Sequence, residues 1–194
     1  GGHDLKSAFL RLQEALAAPD YRCRPIALGT ATDAYQPAER RLGLTRAILQ
    51  VMLERRHPVT VVTKSALICR DLDLWSELAR RNLAQVAISL TSLNADLARQ
   101  LEPRASAPPA RLEAIRRLAE AGVPVAVFTA PLIPALNDHE LEHLLAAARE
   151  RGAQLASYTL LRLPHEVAGL FKDWLARHAP EKAAPLTAAP YPPP

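Results

Sequence analysis

Pro25-Ile26-Ala27-Leu28-Gly29-Thr30-Ala31-Thr32-Asp33-Ala34-Tyr35-Gln36-Pro37-Ala38-Glu39-Arg40 runs from a short apolar segment into a crowded polar loop. A long amphipathic segment follows. The apolar residues read as a buried strand, and the loop then collects Thr30, Thr32, Asp33, Tyr35 and Gln36 at its carboxyl end. Ligands and chemistry concentrate at that edge of parallel sheets in α/β proteins. Thr, Asp and Pro are also ordinary turn and cap residues, so the segment alone is equally compatible with a plain βα turn.

The same alternation recurs along the chain. Aliphatic runs lie at Pro25–Leu28, Val59–Thr63, Val86–Leu90, Val123–Thr129 and Leu155–Leu161, with starts about thirty residues apart, the length of a βα unit. Between them, apolar residues fall at three- and four-residue spacing, which predicts helices. One helix carries Leu42, Thr45, Ile48, Leu49, Met52 and Leu53; others carry Leu72, Trp75, Leu78 and Ala79, then Leu112, Ile115, Leu118 and Ala119, then Leu141, Leu144, Leu145 and Ala148. A leading helix uses Leu5, Ala8, Phe9, Leu12 and Leu16, and a trailing one Val167, Leu170, Phe171, Trp174 and Leu175. Asn137 and Glu140 have capping-box spacing. Gly122 and Gly152 sit where a left-handed helix terminator is wanted, and Pro164 suits the first turn of the last helix. Continuous apolar strands joined by helices imply an α/β fold with a mostly parallel sheet, open or curved into a partial barrel. The expected domain is 1–180, followed by an Ala/Pro-rich, unpacked tail over 181–194.

Composition narrows the classes. The 194 residues suffice for one domain with a real core, and 49% hydrophobic residues argue against wholesale disorder. The net charge of +4 comes from 20 Arg and 4 Lys against 20 acids. Such a balance is mostly solvated helix faces and does not by itself make a nucleic-acid binder. The longest apolar run, Val123 to Leu136, has 14 residues and three prolines, too short to span a bilayer. With no membrane segment and no secretory signal, a cytoplasmic location is expected. Cys23 and Cys69 lie far apart without ligand spacing and read as small buried hydrophobes. The chain starts Gly1-Gly2-His3 and its sole Met is Met52, so a segment upstream of Gly1 is expected.

Each strand end carries polar groups. Thr30, Thr32 and Asp33 follow the first; Thr63-Lys64-Ser65 the second; Ser89, Thr91, Ser92 and Asn94 the third; Thr129, Asn137 and Asp138 the fourth; Arg162, His165 and Glu166 the fifth. Lys64, behind an apolar run and beside hydroxyls, favours an anion contact. Asn137-Asp138 also reads as a helix cap, and His165-Glu166 as a surface pair. His57 precedes a strand and lies at the wrong edge for chemistry. His139 and His143 share a helix face without a third metal ligand.

Five spaced segments carry a resemblance: Ile26-Ala27-Leu28-Gly29-Thr30-Ala31-Thr32-Asp33-Ala34-Tyr35-Gln36-Pro37, Val61-Val62-Thr63-Lys64-Ser65, Leu101-Glu102-Pro103-Arg104, Ile133-Pro134-Ala135-Leu136-Asn137-Asp138 and Leu161-Arg162-Leu163-Pro164. Together they resemble radical S-adenosylmethionine (SAM) proteins of the spore photoproduct lyase-like branch, also labelled DNA repair photolyases, over roughly Pro19 to Pro180. The resemblance implies a partial (β/α)₆ barrel, of which the five parallel βα units here would be strands two to six. It implies a [4Fe–4S] cluster on a CxxxCxxC loop after the first strand, with SAM cleaved reductively to a 5′-deoxyadenosyl radical that abstracts hydrogen from a substrate. It implies a reductant such as flavodoxin or ferredoxin.

By the same resemblance, Lys64 matches the lysine that neutralises the methionine carboxylate. Thr30 and Thr32 would contact the methionyl amino group, with Asp33 a further cofactor-binding residue, Ser89 and Thr91 would contact the ribose or sulfonium side, and Asn137 and Arg162 the adenine or the substrate. This sequence departs from the pattern twice. It has no CxxxCxxC motif, so the cluster loop is expected upstream and this chain alone is expected to be inert. The loop Gly29–Asp33 also lacks the cysteine that spore photoproduct lyases use as a hydrogen donor, so thymine-dimer repair is not carried over. Two other readings stay open: a non-radical βα-barrel binder of a phosphate or carboxylate ligand, and a basic nucleic-acid-binding module.

Overall fold

The computed structural model of the chain describes residues 2–163 and 165–182, with side chains from 9 to 163 and from 167 to 182. Helix α1 (Gly2–Ala17) leads into β1 (Ile26–Leu28), α2 (Glu39–Leu42), α3 (Leu44–Glu54) and β2 (Val59–Thr63). A 3₁₀ helix (Ala66–Asp71), α4 (Leu72–Arg80), β3 (Ala84–Ser89), α5 (Ala95–Leu101) and α6 (Pro108–Glu120) come next. The chain continues through β4 (Val125–Leu132), a short 3₁₀ turn (Asp138–Glu140), α7 (Leu141–Glu150), β5 (Leu155–Leu160) and α8 (His165–His178). The strands form one open, wholly parallel sheet in the order β1-β2-β3-β4-β5.

The alternation along the strands decides which face is covered. Val59, Val61, Val86, Ile88, Val125 and Val127 point to one face and bury against Leu49, Met52, Trp75, Leu78, Ile115, Leu118 and Leu144 of the helices. On the other face lie Thr60, Val62, Ala87 and Ala126, partly open to solvent. A second, smaller core packs Leu175 and Ala179, at and just past the end of α8, on Ile133 and Leu136, with Leu97, Leu101, Phe171 and Trp174 around them.

The expected strands and their parallel order are found. Gly122 and Gly152 hold φ of 77° and 98° as helix terminators. Four expectations need correcting. The helix drawn through Leu42 breaks at Gly43, whose φ of 61° ends α2 and starts α3, and leaves Leu42 exposed. Strand β5 is exposed at every residue, because it is an edge strand that the helices do not cover. On α8, Val167 and Leu170 face solvent, since the helix packs through Phe171, Trp174 and Leu175 instead. Cys23 is exposed rather than buried, since it lies in the open stretch before β1; Cys69 is half-buried. Pro164 and residues 183–194 of the expected tail fall outside the described residues, as do the side chains of His165 and Glu166.

Candidate functional site

The loop after β1 begins with a close approach that only glycine permits. Gly29 has φ +84°, and a Cβ there would sit 2.1 Å from the Val62 carbonyl oxygen. From that point the loop is fastened by Asp33. Its Oδ1 accepts from the Tyr35 amide (2.8 Å) and the Thr63 hydroxyl (2.6 Å), and its Oδ2 from the Lys64 amide (2.8 Å). Asp33 thus ties the end of β1 to the end of β2, with its oxygens spent on the protein.

Further along, Tyr35 is fully buried and donates to Asp71 Oδ2 (3.1 Å), while Trp75 Nε1 donates to the Tyr35 hydroxyl (2.9 Å). Asp71, 0% exposed, also pairs with Arg46 (3.0 Å) and Arg70 (2.7 Å); Arg70 reaches on to Glu39 (2.7 Å), and Arg46 to Asp73 (2.6 Å). Burial, and then the Asp71 carboxylate, push the Tyr35 phenol far above its ordinary range. It stays a protonated donor.

This loop forms one wall of a groove of about 1040 Å³, lined by Thr32, Asp33, Tyr35, Gln36, Arg40, Lys64 and Ser65 on one side and residues 101–106 on the other. It lies at the carboxyl ends of β1 and β2, as strand-edge chemistry requires. Under it lies a second network. Lys64 Nζ is 2.8 Å from Glu102 Oε1, which also accepts from the Thr91 hydroxyl (2.8 Å). Glu102 Oε2 accepts from Arg111 (2.6 Å), whose other nitrogens donate to the carbonyls of Ser89 (3.0 Å) and Ser106 (2.6 Å). Burial works against the Glu102 charge, but Arg111 and Lys64 outweigh it and hold this carboxyl below its ordinary value. Arg40 and Arg104 line the same groove and have no acid partner among the described residues.

Of the residues singled out in the sequence, the groove brings Thr32, Asp33 and Lys64 together. Thr30 is exposed outside its lining, and Arg162 is exposed past β5. Ser89 and Thr91 are buried beneath it. Among the described residues the Ser89 hydroxyl has no hydrogen-bond partner, while Thr91 supports Glu102. Asn137 is not a cap. Its amide is buried, donating to the carbonyls of Thr91 (2.8 Å) and Pro131 (3.1 Å) and accepting from the Ile133 amide (2.6 Å), which pins the loop after β4.

Glu140 is the other half of the expected capping box. It turns away to accept from the Ser92 hydroxyl and the Leu93 and Asn94 amides. The box fails because Asn137 donates to the Thr91 carbonyl and Glu140 accepts from Ser92, Leu93 and Asn94, all on the loop after β3. Asn94 caps α5 instead, accepting from the Asp96 and Leu97 amides. His57 is buried at the far edge, hydrogen-bonded to the Tyr21 hydroxyl at 2.7 Å. Sequence reasoning gave no role to Glu102, Arg111 or Asp71. The Leu101-Glu102-Pro103-Arg104 segment was the available signal, but a charged residue in helix α6 reads as a solvated face.

The cysteines do not fit a [4Fe–4S] cluster. Such a cluster needs three thiolates close together, and Cys23 is exposed before β1 while Cys69 is half-buried in the 3₁₀ helix, its thiol pushed up by burial. Among the described residues no three His, Cys, Asp or Glu side chains converge as a metal set. A SAM carboxylate does fit, because the groove presents the Lys64 ammonium with positive charge to spare. No helix among the described residues is long and apolar enough to cross a membrane.

Known proteins agree with this architecture. The family model described as "Radical SAM superfamily" matches residues 5–148. Uncharacterized protein Rv2578c of Mycobacterium tuberculosis is 36% identical over 172 residues, which cover 88% of this chain and 51% of that protein. Uncharacterized protein MJ0683 of Methanocaldococcus jannaschii is 31% identical over 115 residues, 59% of this chain and 43% of that protein. The chain spans about half the length of the curated relatives it matches. Among solved structures, a spore photoproduct lyase mutant with bound AdoMet and dinucleoside spore photoproduct has a TM-score of 0.63 at 17% identity, over 89% of this chain and 51% of that one. A spore photoproduct lyase complexed with dinucleoside spore photoproduct gives 0.62 at 19%, over 91% and 51%. At that identity the likeness is one of fold.

Proposed function

Because the chain belongs to the radical SAM superfamily, we propose that it supplies the SAM-binding wall of a radical SAM enzyme whose cluster is held by residues outside this sequence. The observation that carries the proposal is Lys64, a cation in a groove at the carboxyl end of β2 whose one acid partner among the described residues, Glu102, is shared with Arg111. SAM, when bound and reduced by one electron, supplies a 5′-deoxyadenosyl radical able to take a hydrogen atom from a substrate.

The chain's own residues bind and orient. The Lys64 ammonium, a compact point charge, receives the methionyl carboxylate. Thr32, and Thr30 beside it, offer hydroxyls to the amino group. Asp33 holds the loop that carries both, Thr91 holds Glu102, and Asn137 fixes the loop after β4. Ser89, buried beneath the groove, gives its carbonyl to Arg111, and Arg162 serves the substrate. A flavodoxin- or ferredoxin-type protein is the proposed electron source. The substrate class stays open: the AdoMet-bound neighbour also holds a dinucleoside photoproduct, yet the loop Gly29–Asp33 offers no thiol to return hydrogen.

The test is anaerobic cluster reconstitution of the full-length polypeptide, followed by reduction and assay of 5′-deoxyadenosine. Its formation, lost in Lys64→Met, is expected. A cluster-loaded protein that forms none would overturn the proposal. Reconstitution of this chain alone is expected to give no stable cluster. A second reading, a non-radical binder of phosphate or carboxylate, is favoured by Arg40 and Arg104 on the same groove. Tight binding of inorganic phosphate by a full-length protein without 5′-deoxyadenosine formation would select it.

A further inference from the structure

We infer that Arg111, buried outside the groove lining, sets the charge and hence the anion affinity of the Lys64 site by neutralising Glu102. The inference rests on reading Lys64 as the receptor for the methionyl carboxylate.

Lys64 and Glu102 by themselves form a neutral pair. An ammonium with an internal counter-ion at 2.8 Å has little net field left for a ligand carboxylate. Arg111 changes that balance. Its side chain is 2% exposed, and it brings a second cation to the carboxylate. It grips the second oxygen of Glu102 at 2.6 Å and is locked in place by the Ser89 and Ser106 carbonyls. Two cations then share one acid, and the triad carries a net single positive charge.

That charge has one outlet. Lys64 is 38% exposed, against 9% for Glu102, and it alone of the three cation and acid centres reaches the groove with donors to spare. An ammonium has three N–H groups, and Glu102 takes one of them. Buried ion pairs are poor stabilisers relative to apolar packing, so a buried Arg–Glu pair placed directly behind an exposed lysine needs another reason. Here the reason is electrostatic preorganisation of a carboxylate site.

A triad that was only a strut would behave differently. It ties β2 to the α5–α6 connection, and breaking either side of a strut would harm ligand binding in the same direction. A charge-setting triad gives effects of opposite sign. The experiment is an equilibrium titration of the full-length polypeptide with SAM, with folding of each variant checked by circular dichroism. Glu102→Gln removes the negative charge and is expected to tighten binding about three- to tenfold. Arg111→Gln leaves Glu102 to neutralise Lys64 and is expected to weaken binding by a similar factor.

The double variant Glu102→Gln/Arg111→Gln restores the single net charge and is expected to return to within about twofold of the wild type. It keeps the test decisive if Arg111→Gln alone fails to fold. Weaker binding in Glu102→Gln, or no change in it, while Lys64→Met does lose affinity, would overturn the inference and leave the Lys64 reading standing. Full affinity in Lys64→Met would remove the reading on which the inference rests.

Discussion

Two buried acids anchor the two walls of the groove, and their surroundings differ in charge balance. Asp71 sits among Arg46 and Arg70, but Asp73 and Glu39 take the remaining valences of those arginines, so every cation there has an acid of its own. Glu102 sits between Arg111 and Lys64 with no second acid, and one of its cations opens on the groove. A buried acid whose cations are all matched is a clamp. A buried acid with a cation left over leaves a net positive charge facing the groove. Arg40 and Arg104, also unmatched, lie on the second side of this divide.

If Asp71 is a clamp, removing it should cost fold stability before anything else. Asp71→Ala leaves the buried Tyr35 hydroxyl without its acceptor and takes one of two acid partners from each of Arg46 and Arg70, and should lose about 1–3 kcal/mol in urea unfolding. The SAM affinity of its folded fraction should hold. Tyr35→Phe removes one buried hydroxyl from the same network and should lose about 1 kcal/mol by the same assay.

Glu102 predicts an acid limb. Its folded-state pKa is held below the ordinary 4.5, so its contribution to stability is complete above the unfolded value and lost as pH falls through the folded one. Unfolding free energy measured from about pH 6 downward should therefore fall below about pH 4.5, less steeply in Glu102→Gln. The smallest effect belongs to the surface: Arg80→Ala breaks an exposed pair with Glu77 and should shift stability by less than about 0.5 kcal/mol. A larger shift there would blur the line between matched clamp and solvated charge.

The five strands and their parallel pairing were legible in the sequence because apolar runs and their spacing carry them directly. The loop Gly29–Arg40 was legible as polar and special, but not in its internal division of labour. Asp33 and Asn137 looked like ligand contacts, since a polar residue at a strand end reads the same whether it faces a ligand or a neighbouring backbone. Only the folded chain brings Lys64 and Thr63 to Asp33, or Thr91 to Asn137. Glu102 and Arg111 were hidden for the opposite reason. Charges in and beside helices are usually solvated, and nothing local marks one as buried until β3 and α6 close over it. The break at Gly43 was missed because Leu42 keeps helical spacing across it. The exposure of β5 depends on its place at the sheet edge, which composition does not record.

The most direct test is the affinity of the full-length polypeptide for SAM before and after Lys64→Met, with folding of both forms verified. A carboxylate site built around Lys64 predicts a loss of at least about tenfold, the order expected for removing a charge-assisted contact. Unchanged affinity in a folded Lys64→Met protein would contradict it.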